Sequence, residues 1–307
     1  MRDTFIDELT QQAKKDSSIF LITGDLGFGV LENFAQEYPD QFLNAGVAEQ
    51  NMTSIAAGMA LEGRKVFTYS IGNFPTLRCL EQIRNDICYH DLDVTIVTVG
   101  GGFSYGQLGM SHHATEDISI LRAIPNLNVI VPSTLCEVRN TVKYITSASH
   151  SNYLRLDKSY VESYDNLDYS FGKASMIQDG EDITIITAGG ILEEVLIANE
   201  MLKKENINCR ILSMHTVKPI DKESILNACI ETRGIVTVEE NNILGGLGGA
   251  VAEVCQSAQI NINLFKIIGI QDTFSSIVGD QKYLRDRYEI SSNNIFNEVK
   301  DLMTSSQ

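Results

Sequence analysis

The chain has 307 residues, 43% hydrophobic and 21% charged, the make-up of a globular protein long enough for two ordinary domains. With 24 Lys and Arg against 40 Asp and Glu, its net charge of -16 would repel a phosphate backbone, so nucleic acid is not an expected partner. No apolar run has membrane-spanning length, and residues 1–16 (MRDTFIDELTQQAKKD) read as an amphipathic helix, not as a secretory leader; a cytoplasmic protein that does not engage a membrane is expected.

After that first helix, short apolar runs alternate with helical patterns. They are SIFLITGD, a helix after Asn51, KVFTYS, a helix over 77–89, DVTIVTVG, NVIVPS, a helix over about 134–148, and NYLRL. Such alternation predicts a parallel sheet covered on both faces, here one α/β unit over residues 1–160. Residues 161–180 are polar and tyrosine-rich and read as a linker that could hold a short edge strand. The alternation restarts over 181–307 with DITIITAGG, a helix over 191–205, CRILSMHTVKPID, a helix over 221–230, GIVTVEE, a glycine-rich turn into a helix over 248–258, and NLFKIIGI. The fold class is therefore α/β, with two doubly wound, mainly parallel-sheet domains. Six cysteines, at 79, 88, 136, 209, 229 and 255, show no C-x-x-C pair and read as reduced core thiols.

Two segments carry candidate chemistry. NAGVAEQNMTSIAAGMALEG ends a strand in small residues and opens a helix, placing Glu49 at the carboxyl edge of the sheet, where open α/β folds bind ligands. A first-turn glutamate is also stabilised by the helix dipole alone, so position leaves both readings open. GGGFSYGQLGMSHHATEDISILRA is a glycine-rich loop with His112 and His113 just before a helix that Thr115 or a neighbour could cap. Adjacent histidines suit ligand contact or helix capping, but two are too few for a metal site, and none is expected in this chain. GDLGFG and GGLGGA do not spell a dinucleotide fingerprint and read as tight turns and helix packing. Gly24-Asp25 with Asn51 mimics a G-D-G...N magnesium-diphosphate motif, but Leu26 replaces the second glycine.

Taken together, GVAEQNM at 46–52, IGNF...QIRND at 71–86, GMSHHATEDI at 109–118, LRLDK at 154–158 and FGKASMIQDGEDITIITAGG resemble transketolase over nearly the whole chain. The resemblance is to the pyrimidine-binding domain (1–160) and the carboxy-terminal domain (181–307). It implies a split enzyme whose separate amino-terminal subunit carries the G-D-G diphosphate domain and the Mg2+ (or Ca2+), with self-association into a dimer core and an overall heterotetramer. The implied cofactor is thiamine diphosphate. Glu49 would meet the aminopyrimidine ring nitrogen, promoting the imino tautomer that deprotonates the thiazolium carbon. Phe74 would stack on the ring, with Asp25, Leu26 and Ile71 lining the pocket. His112 would hydrogen-bond the sugar oxygens and act in catalysis, His113 would add a second donor, and Lys158 and Arg155 would face the substrate phosphate. Gly100 and Leu108 stand where sugar-phosphate enzymes carry a histidine and an aspartate, so the acceptor half differs. His215 reads as a structural strand-end residue.

The activity so implied is transfer of a two-carbon ketol unit from a ketose, expected to be phosphorylated, to an aldose. A related thiamine-diphosphate reaction on a 2-oxo acid, as in deoxyxylulose-phosphate synthase or a 2-oxoacid dehydrogenase beta subunit, shares the Glu49 segment and is the alternative. A non-catalytic nucleotide-binding module is a third reading; it predicts that Glu49→Ala is silent.

Overall fold

A computed structural model describes residues 1–162, 164, 167–260 and 262–304. The first unit contains α1 (Arg2–Ala13), β1 (Ile19–Thr23), α2 (Glu32–Glu37), β2 (Phe42–Asn44), α3 (Glu49–Leu61), β3 (Lys65–Ile71) and α4 (Leu80–Gln82), which runs into a π-helical segment, Ile83–Cys88. It continues through β4 (Val94–Val99), α5 (Asp117–Arg122), β5 (Leu127–Ile130), α6 (Leu135–Ser147) and β6 (Ser151–Leu156). The second contains β7 (Ser175–Gln178), β8 (Ile183–Ala188), α7 (Leu192–Lys204), β9 (Cys209–Ser213), β10 (Thr216–Lys218), α8 (Lys222–Glu231), β11 (Gly234–Asn242), α9 (Leu247–Ser257), β12 (Leu264–Ile270), α10 (Gln281–Arg287) and α11 (Ser292–Thr304).

The central strands β4, β6 and β8 are buried at every position, as the apolar and threonine-rich runs of β4 and β8 require for strands covered on both faces, while β6 also buries Ser151, Asn152 and Arg155. In the seven-stranded sheet the order is β10-β5-β6-β4-β3-β1-β2, all parallel except β10. Chain order reverses around β1, whose neighbours are β2 and β3, so the crevice beyond the carboxyl ends of β1 and β3 is the topological switch point. The second sheet runs β12-β11-β8-β9-β7, with only β7 antiparallel. One face of the first sheet is covered by α1 and α6, where Phe5 stacks on Tyr69 with ring centroids 6.2 Å apart. The core on the other face runs without a break from Ile22 and Met52 into Ile186, Leu212 and Val251 of the second domain.

Several sequence expectations change. The run 209–221, read as one second-domain strand, divides: β9 joins the second sheet, whereas β10 pairs antiparallel with β5 and becomes an edge of the first. The bond from Val131 N to His215 O (2.7 Å) fixes that crossover. The helix expected over 77–89 starts only at Leu80, because Gly72–Thr76 forms a turn closed by Thr76 Oγ1 donating to Gly72 O (2.7 Å). The helix expected after Asn51 starts at Glu49 itself. α5 is capped by Glu116 without a side-chain bond, so Thr115 does not cap it. The segment expected as a linker lies partly outside the described residues, and its last part forms β7. α2, α10 and α11 were not legible as patterns. The glycine stretches form turns and packing contacts: Gly27 and Gly29 have positive φ, and a Cβ on Gly246 would lie 2.1 Å from Glu239.

The largest correction concerns Arg155, expected at the substrate. It is 2% exposed, and each of its three nitrogens donates inward: Nε to Asp157 Oδ1 (3.2 Å), Nη1 to Asp117 Oδ1 (3.2 Å) and Nη2 to Glu240 O (3.0 Å). Burial works against its charge, and attraction to Asp117 and Asp157 more than compensates, so the guanidinium pKa is raised. Asp157 also accepts from Gly190 N (2.7 Å), and Glu240 binds Arg285 (2.7 Å), so the network crosses both domains. Removing one partner leaves buried charges uncompensated. Arg155→Leu should therefore lower unfolding stability by roughly 3–5 kcal/mol, read from urea midpoints.

Glu239 provides a pH-dependent term. It is 1% exposed and accepts from Leu247 N (2.7 Å) and Gly248 N (2.8 Å) at the start of α9. Burial outweighs these bonds and pushes its pKa from 4.5 up to about 7. Its contribution is full below pH 4.5 and is lost as pH rises through about 7, a swing on the order of 3 kcal/mol. Glu239→Gln should remove that term, so urea unfolding should show the variant gaining on the wild type as pH rises from 4.5 to 7.5.

Candidate active site

Small residues bring Glu49 to the switch point. Gly46 (φ +74) turns the chain after β2, and Gly24 at the end of β1 lies against Glu49, where a Cβ would make an ordinary 3.6 Å contact with Glu49 Cγ. Glu49 is 2% exposed, and its Oε2 accepts from Arg78 Nη1 at 2.6 Å. The Arg78 guanidinium carbon lies 4.7 Å from the centroid of the Phe74 ring. On the turn after β3, Phe74 in turn meets the His112 ring at 5.1 Å and 67°, an edge contact. Ser111 Oγ sits 3.0 Å from His112 Nδ1. Glu49, Arg78, Phe74 and His112 are thus one chain of contacts linking α3, the β3 turn and the loop after β4. Asn73 ties the last two by donating to His113 O, and its own Oδ1 is buried without a partner.

The remaining expected residues divide. Ile71 ends β3 beside Val99 of β4, at the crevice. Asp25, with φ +58, is exposed and bonded to Asn44 Nδ2 (2.9 Å), and together with Leu26 it lines a separate small cavity of about 160 Å³. His113 is not a free second donor: it is 1% exposed, Nε2 is 3.2 Å from Gly106 O and Nδ1 bonds Ser275 Oγ. A carbonyl only accepts, so Nε2 carries the proton and Nδ1 accepts from Ser275. Burial lowers the His113 pKa, and its ring ties the loop to the second domain. Lys158 is exposed, with Nζ 3.9 Å from the Tyr105 ring centroid, and lines a cavity of about 320 Å³ with Ser104 to Leu108 and Gln281. Burial of its stem lowers its pKa, and repulsion from Arg2 adds to the shift. His215 is fully buried, stacked on Tyr169 at 4.5 Å.

Sequence reasoning missed Arg78, which sat inside an expected helix; the available signal was a cation close to a candidate aromatic. Gly100 has φ +87, and a Cβ there would lie 2.2 Å from the Tyr105 ring, so Tyr105 fills the space a longer side chain would need.

A buried carboxylate, an aromatic face and an imidazole in one chain of contacts fit an aminopyrimidine, which presents ring nitrogens, an amino group and a flat face. The same residues do not fit a metal diphosphate. Among the described residues no three metal-ligating side chains converge, and Asp25 is engaged with Asn44.

The family described as "Transketolase, pyrimidine binding domain" matches residues 1–162, and "Transketolase, C-terminal domain" matches residues 172–295. An apulose-4-phosphate transketolase subunit of Phocaeicola vulgatus is 38% identical over 275 residues, 88% of this chain and 87% of that one. A putative transketolase C-terminal section of Methanocaldococcus jannaschii is 41% identical over 279 residues, 89% and 87% of the two chains. A solved structure described as a split gene transketolase, inactive beta4 tetramer, superimposes with a TM-score of 0.89 at 31% identity, covering 99% of this chain and 98% of that one. Dependence on thiamine diphosphate is what this family implies. The chain belongs to the transketolase family, as the split-transketolase subunit formed of the pyrimidine-binding and carboxy-terminal domains.

Proposed function

We propose that this chain, assembled with an amino-terminal subunit that holds the diphosphate and its Mg2+ (or Ca2+), transfers a two-carbon ketol unit from a phosphorylated ketose to an aldose. The observation that carries the reading is Glu49, a carboxylate 2% exposed at the switch point and joined through Arg78 to an aromatic face. When bound, thiamine diphosphate supplies the carbon nucleophile, which no side chain here offers. Glu49 holds a proton at the pyrimidine ring nitrogen, Phe74 orients the ring by its face, and Ile71 closes the crevice beside it. With Ser111 bonded at Nδ1, His112 has Nε2 left to hydrogen-bond a sugar oxygen. Lys158 is the cation placed to attract a phosphate, at a cavity apart from the Phe74–His112 contact.

The need for a partner is supported by the likeness to a split gene transketolase whose beta4 tetramer is described as inactive. Like that relative, this chain self-associates, and two copies with two partner subunits make the working heterotetramer. Reconstitution with the partner, thiamine diphosphate and Mg2+ should consume a ketose and extend an added aldose. In that complex Glu49→Gln should lower kcat by about 10²–10⁴ with unchanged circular dichroism. Carbon dioxide release from pyruvate without any ketose consumption would instead assign the chain to the 2-oxo acid reaction.

A further inference from the structure

Arg78 makes two contacts with this site, and both are ones an aminopyrimidine would need. Its Nη1 holds Glu49 Oε2 at 2.6 Å, and its guanidinium covers the Phe74 ring at 4.7 Å. A guanidinium is planar, cationic and weakly hydrated, so it satisfies a buried carboxylate and an aromatic face at the same time. Glu49, at 2% exposure, would otherwise be a buried charge without a partner. The Arg78 side chain, by contrast, is 46% exposed and follows a turn, not a helix, so it has solvent to move into.

From the shared carboxylate and ring face we propose that Arg78 is a positioning residue that occupies the pyrimidine's place and is displaced when the cofactor binds. The inference rests on the proposed function. Until displacement, the Arg78 pair keeps Glu49 satisfied and the crevice ordered. Binding then exchanges one partner of the carboxylate for another, and the lost ion pair is subtracted from the cofactor's affinity. The device favours assembly before loading: the site stays folded without cofactor, and only a ring that engages both Glu49 and Phe74 recovers both contacts.

The opposite reading is that Arg78 supports the loaded site from outside, and the two readings differ in sign. In the complex reconstituted with the partner subunit and Mg2+, thiamine diphosphate affinity is measured by isothermal titration calorimetry for wild type, Arg78→Met and Arg78→Lys. Methionine keeps an apolar stem over Phe74 but cannot pair with Glu49. Displacement predicts that Arg78→Met binds thiamine diphosphate about threefold to tenfold more tightly, the range set by a half-exposed charge pair, and that Arg78→Lys restores part of the wild-type Kd. It also predicts a lower thermal midpoint for cofactor-free Arg78→Met, because Glu49 has lost its partner. Equal or weaker binding by Arg78→Met, with a wild-type complex that does bind, overturns this inference alone. A wild-type complex that binds no thiamine diphosphate overturns the proposed function and the inference with it.

Discussion

The buried guanidinium of Arg155 is the contact on which the rest of the molecule depends. It stands at the end of β6, takes Asp117 from the start of α5, Asp157 from its own strand end and the carbonyl of Glu240 from β11. Desolvating that much charge is unfavourable unless every partner is in place, and the partners come from both domains. Docking in any other orientation would strand carboxylates in the core. The continuous apolar core gives the domains a reason to associate, and this polar network selects the arrangement in which they do.

That selection reaches the site through the loop after β4. His113 is held by Ser275 of the second domain and by Gly106, Phe103 N donates to Glu240 Oε1 (2.6 Å), and Gly102 pairs with Ala114 across the loop. His112 is the residue left over, half-buried and turned toward Phe74, because its neighbour has been fixed inward. The second domain contributes no side chain to the Glu49 contacts, yet it sets the position of the imidazole that closes them.

The sheet architecture was legible because β4 and β8 are apolar and threonine-rich runs of strand length, as strands covered on both faces tend to be. Which sheet a strand joins is not written in such a run, so the division of 209–221 between the two sheets was not. Glu49 could be placed by its local pattern, since small residues before a helix start are visible in the chain. Arg155 could not: a strand-end arginine resembles a surface group until Asp117 and Glu240, 38 and 85 positions away, are brought against it. His113 misled for the same reason, its partner Ser275 lying 162 positions away. Arg78 was hidden by a secondary-structure error, because a residue on a turn and a residue on a helix point to different places.

The division of labour proposed between this chain and a partner accords with what each group costs to bury. A single carboxylate can be kept in a crevice by one arginine and a glycine-lined approach, and Glu49 is. A diphosphate with its metal carries several charges and needs converging ligands or a row of backbone N–H groups. This acidic chain brings together no such ligand set among the described residues. A polypeptide at -16 that tried to hold that group alone would add negative charge to negative charge, whereas one that offers a carboxylate, a ring face and an imidazole asks only for a neutral heterocycle. The carboxylate, ring face and imidazole joined through Glu49, Phe74 and His112 are the chemistry of a wall for a flat heterocycle, which is the part of the cofactor the proposed function assigns to this chain.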